Sequence, residues 1–473
     1  MLTTNQAELN APQDVMTCAR EITHSSPLTD SKLPVCIPMK PRQFGLVSSV
    51  YTVGGLLGAL LAGPVATRYG RLHALRATTL FFVVGPLVMT LAPSIAMLSL
   101  GRLLAGVGAG AAIVVGPIYI AEVAPPSARG FFGAFTQVMA NVGILLTQTL
   151  GYFLSKESDQ WRIILAVAGG IGLLELAGLF FVPESPTWLA EHEKIPLARR
   201  VLRRIRGSGH DAADIDAEVE RWRPTTGPVD PSEEEESLLA SSSNNNPLSA
   251  AQATKTPPVT IVTAVLDAQY RPAIIAVVGV MVAQQFTGIN SIVMYSVSLL
   301  QTILPTTASL LTVMISAINL IITLACTPLP DKIGRKRCLL LSIIGVGVNS
   351  LLLAFGIYFN LKALAAIAAL LFVAFFALGL GPVPFILASE LVGPEAVGAT
   401  QSWALAANWI STFVVAQFFP MLNHALGGKG KVYWIFAAAA AVFTVFIYWF
   451  VPETNSKANA DEVWGRDNRR RLD

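Results

Sequence analysis

The sequence predicts an all-α, polytopic membrane protein built from two homologous halves, and three observations predict it. The chain is 53% hydrophobic and 13% charged, with a mean hydropathy of +0.57, values foreign to a soluble domain of 473 residues. Eleven apolar runs reach the roughly 20 residues that cross a bilayer. Distinctive groups also recur at nearly one offset. Gly70-Arg71 returns as Gly334-Arg335, 264 residues on, Glu122 as Glu390, 268 on, and Pro183-Glu184-Ser185 as Pro452-Glu453-Thr454, 269 on. Secondary transporters carry such repeats, with the substrate site near the membrane midplane between them.

Taken in order, the runs cover 44–66, 74–93, 96–120, 131–154 and 162–182, then 271–300, 305–329, 338–359, 362–386, 399–422 and 432–451. Five precede and six follow a polar stretch, so a six-plus-six repeat leaves the first half short of one helix, ending near residues 1–20. The expected organisation is therefore a helix remnant and loop at 1–43, an N-terminal half at 44–189, a linker at 190–268, a C-terminal half at 269–454 and a tail at 455–473. The linker holds a basic helical stretch, Arg199 to Arg206, then Glu233 to Glu236 and a Ser/Asn run that reads as disordered.

Basic residues in short loops mark the cytosolic side of a membrane protein. Arg68, Arg71 and Arg76, then Lys332, Arg335, Lys336 and Arg337, and finally Arg466 and Arg469 to Arg471 put those loops and the C-terminus in the cytosol. Because the basic residues sit between apolar runs and the net charge is only +3, nucleic acid is not an expected partner. No Cys/His spacing suits a metal, and no catalytic constellation or cofactor motif is present. Cys18 and Cys36 pair if their loop lies outside the cytosol and are otherwise free thiols.

Gly70-Arg71 and Asp331 to Lys336 sit in tight turns between helices. The arginines Arg71 and Arg335 then lie near Glu122, Glu184, Glu390 and Glu453, in pairs suited to a reversible latch between the halves. Arg102 is expensive inside an apolar run and is expected to face a partner or water. The small residues after it, Gly106, Gly108 and Gly110, suit close helix packing.

The stretch Gln284-Gln285-Phe286-Thr287-Gly288-Ile289-Asn290 places three carboxamides at membrane depth, either as glue between helices or as a ligand site. Gln284 and Gln285 lie about 100° apart on a helix and are expected to differ in exposure, while Gly288 relaxes the helix before Asn290. Gln137, Gln148, Asn319, Asn408 and Trp409 are further polar groups at depth. Each carboxamide donates and accepts, as a hydroxyl does. The depth of the membrane holds few charges, so the set favours a neutral polyhydroxy solute over an ion.

Taken together, these motifs resemble the sugar porter family of the major facilitator superfamily. Those carrying the resemblance are Gly70-Arg71, Gly101-Arg102, Pro117 to Glu122 with Arg129-Gly130, Pro183 to Leu189, the Gln284 to Asn290 stretch, Asp331 to Lys336 and Pro452-Glu453-Thr454. The resemblance implies sugar contacts at Gln137, Gln284, Gln285, Asn290, Asn319, Asn408 and Trp409. It implies gating at Arg71, Glu122, Arg129, Glu184, Asp331, Arg335, Glu390 and Glu453, and at Pro382 and Pro384, which break the tenth helix. Some positions depart from the family pattern. Ala377 and Phe385 stand where glucose facilitators have glutamate and tryptophan, and Thr67, Leu72, Thr187 and Glu395 erode the cytosolic charges. Residues 8–13 resemble the outer end of the first helix, most of which would precede Met1, so a truncated gene model or alternative start is expected.

The implied function is a carrier for a neutral sugar or polyol in the lipid bilayer, with facilitated diffusion favoured over proton symport because Asn5 stands where symporters have aspartate; Glu8, one turn away, leaves protons open as a second partner. The alternative is a transport-inactive sensor or a membrane assembly and trafficking protein on the same fold. The region from Cys18 to Met39 resembles fungal relatives linked to vacuolar sorting, which implies a fungal plasma or vacuolar membrane.

Overall fold

The computed structural model describes residues 8–10, 12–18, 34–125, 129–154, 160–207, 215, 218–219, 261–301, 308–393, 396–455, 457 and 460–465, all helices and connections. A short helix, α1 (Gln13–Met16), precedes α2 (Pro41–Tyr69), α3 (Arg71–Thr90), α4 (Ile95–Val123), α5 (Arg129–Leu154) and α6 (Trp161–Gly178). Next come α7 (Pro186–Glu191), α8 (Ile195–Arg206) and α9 (Ile261–Leu266). The second half holds α10 (Arg271–Phe286), α11 (Ile289–Gln301), α12 (Ala308–Cys326), α13 (Leu329–Ile333), α14 (Arg335–Tyr358), α15 (Lys362–Leu378), α16 (Val383–Glu390), α17 (Val397–Ala425) and α18 (Val432–Phe450). The short α19 (Ala460–Val463) follows.

Among the described residues, ten stretches are long and apolar enough to cross a membrane, with α10–α11 and α15–α16 each counting as one interrupted span. The fourth apolar run forms the 26-residue α5. Glu233 to Glu236 and the Ser/Asn run lie outside the described residues.

Why the helices pack as they do follows from their small residues. Gly106 and Gly110 of α4 lie against the backbone of α2, so close that a Cβ on either would collide with it. Within the halves, α2 and α3 both pack on α4, and α15 and α18 both pack on α14. Between the halves, α2 packs on α17 and α5 on α12.

The bundle has two chemically different ends. At one, the structure joins Cys18 to Cys36 in a disulfide with a Cα–Cα distance of 5.4 Å. Nearby, Asn10 bridges the halves, its Nδ2 donating to Ser296 Oγ at 2.9 Å while the Val297 N–H donates to its Oδ1 at 3.2 Å. Ser49 Oγ donates to Gln417 Oε1 at 2.7 Å, and Phe44 meets Tyr295 edge-on. The other end carries the basic loops. There Gly63 of α2 and Gly398 of α17 face open space, with nothing within 4 Å of a Cβ built on them. The halves are thus joined across the disulfide end.

Candidate functional site

The candidate site lies where two helices break. Helix α10 ends at Phe286, Gly288 takes φ +94, and α11 starts at Ile289. Side chains rarely adopt that backbone region, so glycine is what this break within the span requires. Opposite, α15 ends at Leu378 and α16 starts at Val383, with Pro382 at its N-cap and Pro384 in its first turn. Pro384 has no N–H to give the Leu380 carbonyl, and Gly381 lies just ahead of the first helical residue, so both carbonyls are open to a side-chain donor.

Gln284 fills that gap. Its Nε2 donates to Leu380 O at 2.6 Å and to Gly381 O at 3.2 Å. Its Oε1 accepts from Asn408 Nδ2 at 2.6 Å and from Gln285 Nε2 at 3.1 Å. Asn290 Nδ2 in turn donates to Gln285 Oε1 at 2.5 Å and makes a longer contact of 3.4 Å to Thr412 Oγ1. Four of the expected contact residues therefore form one connected network. Gln284 and Gln285 are both buried, at 4% and 6% exposure, against the expected difference. The helix ends one residue later, which lets Gln285 turn to Asn290.

Trp409 lies next to this network and looks the other way. Its ring meets Tyr51 of α2 edge-on at 6.3 Å, and it covers Gly55, where a Cβ would approach the indole to 2.5 Å. Its Nε1 is buried and has no hydrogen-bond partner among the described residues. A buried donor left open at the boundary between halves is costly unless something else takes it.

Asn319 is held apart from the four-amide network. It contacts Asn141 of α5 and Thr323 of its own helix, each at 3.5 Å. Gln137 is half-buried on α5, one turn before Asn141 and on the same face. Sequence reasoning singled out neither Asn141 nor Thr323, although the four-residue step from Gln137 to Asn141 was a readable signal.

The model of the family described as "Sugar (and other) transporter" matches residues 3–461. The chain belongs to this family of the major facilitator superfamily. It is 34% identical over 465 residues to a probable metabolite transport protein of Saccharomyces cerevisiae, covering 97% of this chain and 91% of the relative. It is 31% identical to the vacuolar protein sorting-associated protein 73 of the same yeast, covering 95% and 90%. It is 30% identical to the glucose transporter GlcP of Staphylococcus epidermidis, covering 89% and 88%. Its fold matches the inward open xylose transporter XylE of E. coli with a TM-score of 0.74 at 23% identity, covering 98% of this chain and 96% of that one. This is a family of transporters, and sugar-like substrates are its cargo.

In this sugar transporter, Arg102 does meet a partner. Its Nη1 lies 3.1 Å from Glu8 Oε1, both groups being buried, and its guanidinium stacks over Tyr51 at 4.5 Å. The sequence showed Glu8 but gave no reason to pair it with a residue 94 positions away.

The charged clusters lie at the basic end, and in this structure they join elements of the same half. Every ion pair found among Arg71, Glu122, Arg335, Asp331 and Glu390 lies within its own half, not between halves. Arg71 grips Glu122 through Nε at 3.0 Å and Nη2 at 2.7 Å. Arg335 Nη2 reaches Asp331 at 2.7 Å and Glu390 at 2.9 Å. Glu184 and Glu453 do a different job, capping helix N-termini. Glu184 accepts from Leu72 N at 3.0 Å, and Glu453 from Arg335 N at 2.8 Å. Gly70 and Gly334 hold φ values of +101 and +105 just before those helices, and a Cβ on either would strike the capping carboxylate. The clusters thus fasten each half internally. The side chain of Arg129 and the residue Glu395 lie outside the described residues.

Proposed function

We propose that this member of the family carries a neutral sugar or polyol of hexose size by alternating access, as facilitated diffusion. The observation that supports it is the network of Gln284, Gln285, Asn290 and Asn408, joined through carboxamides, a hydroxyl and two backbone carbonyls, beside the open Nε1 of Trp409. Carboxamides offer donors and acceptors together, the combination that hydroxyl groups need. At a net ~0.5–1.5 kcal/mol per hydrogen bond, a few contacts give a millimolar site near −4 kcal/mol, weak enough for a carrier to release its cargo. Gln137 and Asn319 complete the sugar contacts when the halves close, and Pro382 and Pro384 supply the gating break.

On this reading the disulfide end faces away from the cytosol, because disulfides persist outside reducing compartments. The basic end and the C-terminus face the cytosol, in a fungal plasma or vacuolar membrane. The solute class is tested with purified protein in liposomes, by competing labelled hexose uptake with hexoses, polyols, an anionic sugar acid and a cationic amino sugar. Competition by the neutral solutes alone supports the reading, and stronger competition by either ion overturns it.

A second reading, proton-coupled transport, is favoured by the buried Glu8–Arg102 pair, since a carboxylate so placed can exchange a proton as the halves move. An imposed pH gradient separates the two. Uphill sugar accumulation that is lost in Glu8→Gln favours coupling, and indifference to the gradient favours facilitated diffusion. The name of the yeast sorting-associated relative keeps a non-transporting sensor or trafficking role in view. Saturable sugar binding without flux is its signature.

A further inference from the structure

Asn141 is 3% exposed at the contact of α5 with α12, between the halves. Its carboxamide closes a ring of hydrogen bonds. Asn141 Nδ2 donates to Thr323 Oγ1 at 2.7 Å, Thr323 Oγ1 to Asn319 Oδ1 at 3.5 Å, and Asn319 Nδ2 to Asn141 Oδ1 at 3.5 Å. Each member donates once and accepts once. The bond between Asn141 and Thr323 is short, while the two made by Asn319 are at the outer limit of a hydrogen bond. A sugar hydroxyl also donates and accepts, so it competes directly for both functions of Asn319.

We propose that Asn141 is a positioning residue of the unloaded carrier, its carboxamide standing in for a substrate hydroxyl on Asn319. The proposal rests on the carrier reading above and extends it to the return step. In facilitated diffusion the carrier must cross back empty, through a state that buries the site's amides. A buried amide without a partner carries its full desolvation cost, which raises the barrier to that crossing. Gln284, Gln285, Asn290 and Asn408 avoid this by pairing among themselves, all within the second half. Asn319 has only Thr323 within its own helix and takes its other partner from the opposite half. Sugar binding replaces the two long bonds of Asn319, and sugar release restores them.

The test is to compare two fluxes of labelled hexose from proteoliposomes. Zero-trans efflux requires the empty return, whereas equilibrium exchange does not. Asn141→Leu, which keeps the side-chain size, is expected to lower zero-trans efflux about tenfold, equal to ~1.4 kcal/mol in the barrier, and to lower exchange much less. The ratio of exchange to efflux rises, and Asn141→Gln restores it in part. Parallel loss of both fluxes, or no change in either, overturns the role of Asn141 while leaving the carrier reading intact. Absence of exchange in the wild type overturns the carrier reading and this role with it. A second measurement needs no sugar. In the empty protein, thermal midpoints of Asn141→Leu, Thr323→Val and the double variant are expected to be non-additive, and additive shifts overturn the ring itself.

Discussion

Gln284 donates to two carbonyls of the α15–α16 break and accepts from Gln285 and Asn408, so one side chain joins three helical segments. Gln284→Ala leaves those carbonyls and the Asn408 amide without their partner, at ~1–3 kcal/mol for each buried group exposed to the loss. Sugar affinity is expected to fall between tenfold and a hundredfold, measured as half-saturation for uptake in proteoliposomes. Unchanged half-saturation removes Gln284 from the site. At this scale the sequence displayed the right residue types, because carboxamides at membrane depth stand out against apolar neighbours. It did not display their partners. Thr412, the carbonyl of Leu380 and the Glu8–Arg102 pair join positions about a hundred residues apart, and no local periodicity carries such information.

Among the elements, α2 shows how closely function and packing are tied. Gly55 sits under Trp409, so Gly55→Val pushes the indole aside and pries α2 from α17. Loss of sugar binding with a folded, monodisperse protein is the expected result, measured by ligand-induced thermal shift. Gly63→Ala, on the same helix where nothing lies within 4 Å, is expected to retain binding. The Arg71–Glu122 pair gives a second prediction. Both side chains are largely buried, at 10% and 15% exposure. Removing one member of a buried pair strands the other, so Arg71→Gln is expected to destabilise the first half by about 3 kcal/mol, read as a lower thermal midpoint. A latch between halves would instead show as altered transport at constant stability. The turns and the arginines were legible in the sequence, since the Gly-Arg pairs recur in both halves. The direction of their contacts was not, because a carboxylate close in sequence pattern to both halves can be satisfied in either.

For the whole molecule, the repeat offset and the apolar runs made the two-half architecture readable before any contact was known. What they left out was the state. Closure across the disulfide end rests on Asn10, Ser49 and Phe44 meeting Ser296, Gln417 and Tyr295, pairs that only the assembled bundle brings together. Cysteines placed at Gly45 and Gln417 are therefore expected to be shielded from a membrane-impermeant thiol reagent added on the disulfide side of the empty protein. The central claim is that these two halves move a neutral sugar past the Gln284 network. Counterflow tests it most directly, with proteoliposomes preloaded with unlabelled hexose and given a trace of labelled hexose outside. The account predicts transient accumulation of label above equilibrium, with Gln284→Ala needing a ten- to hundredfold higher preload to reach the same accumulation. Label that enters no faster than into protein-free liposomes would contradict it.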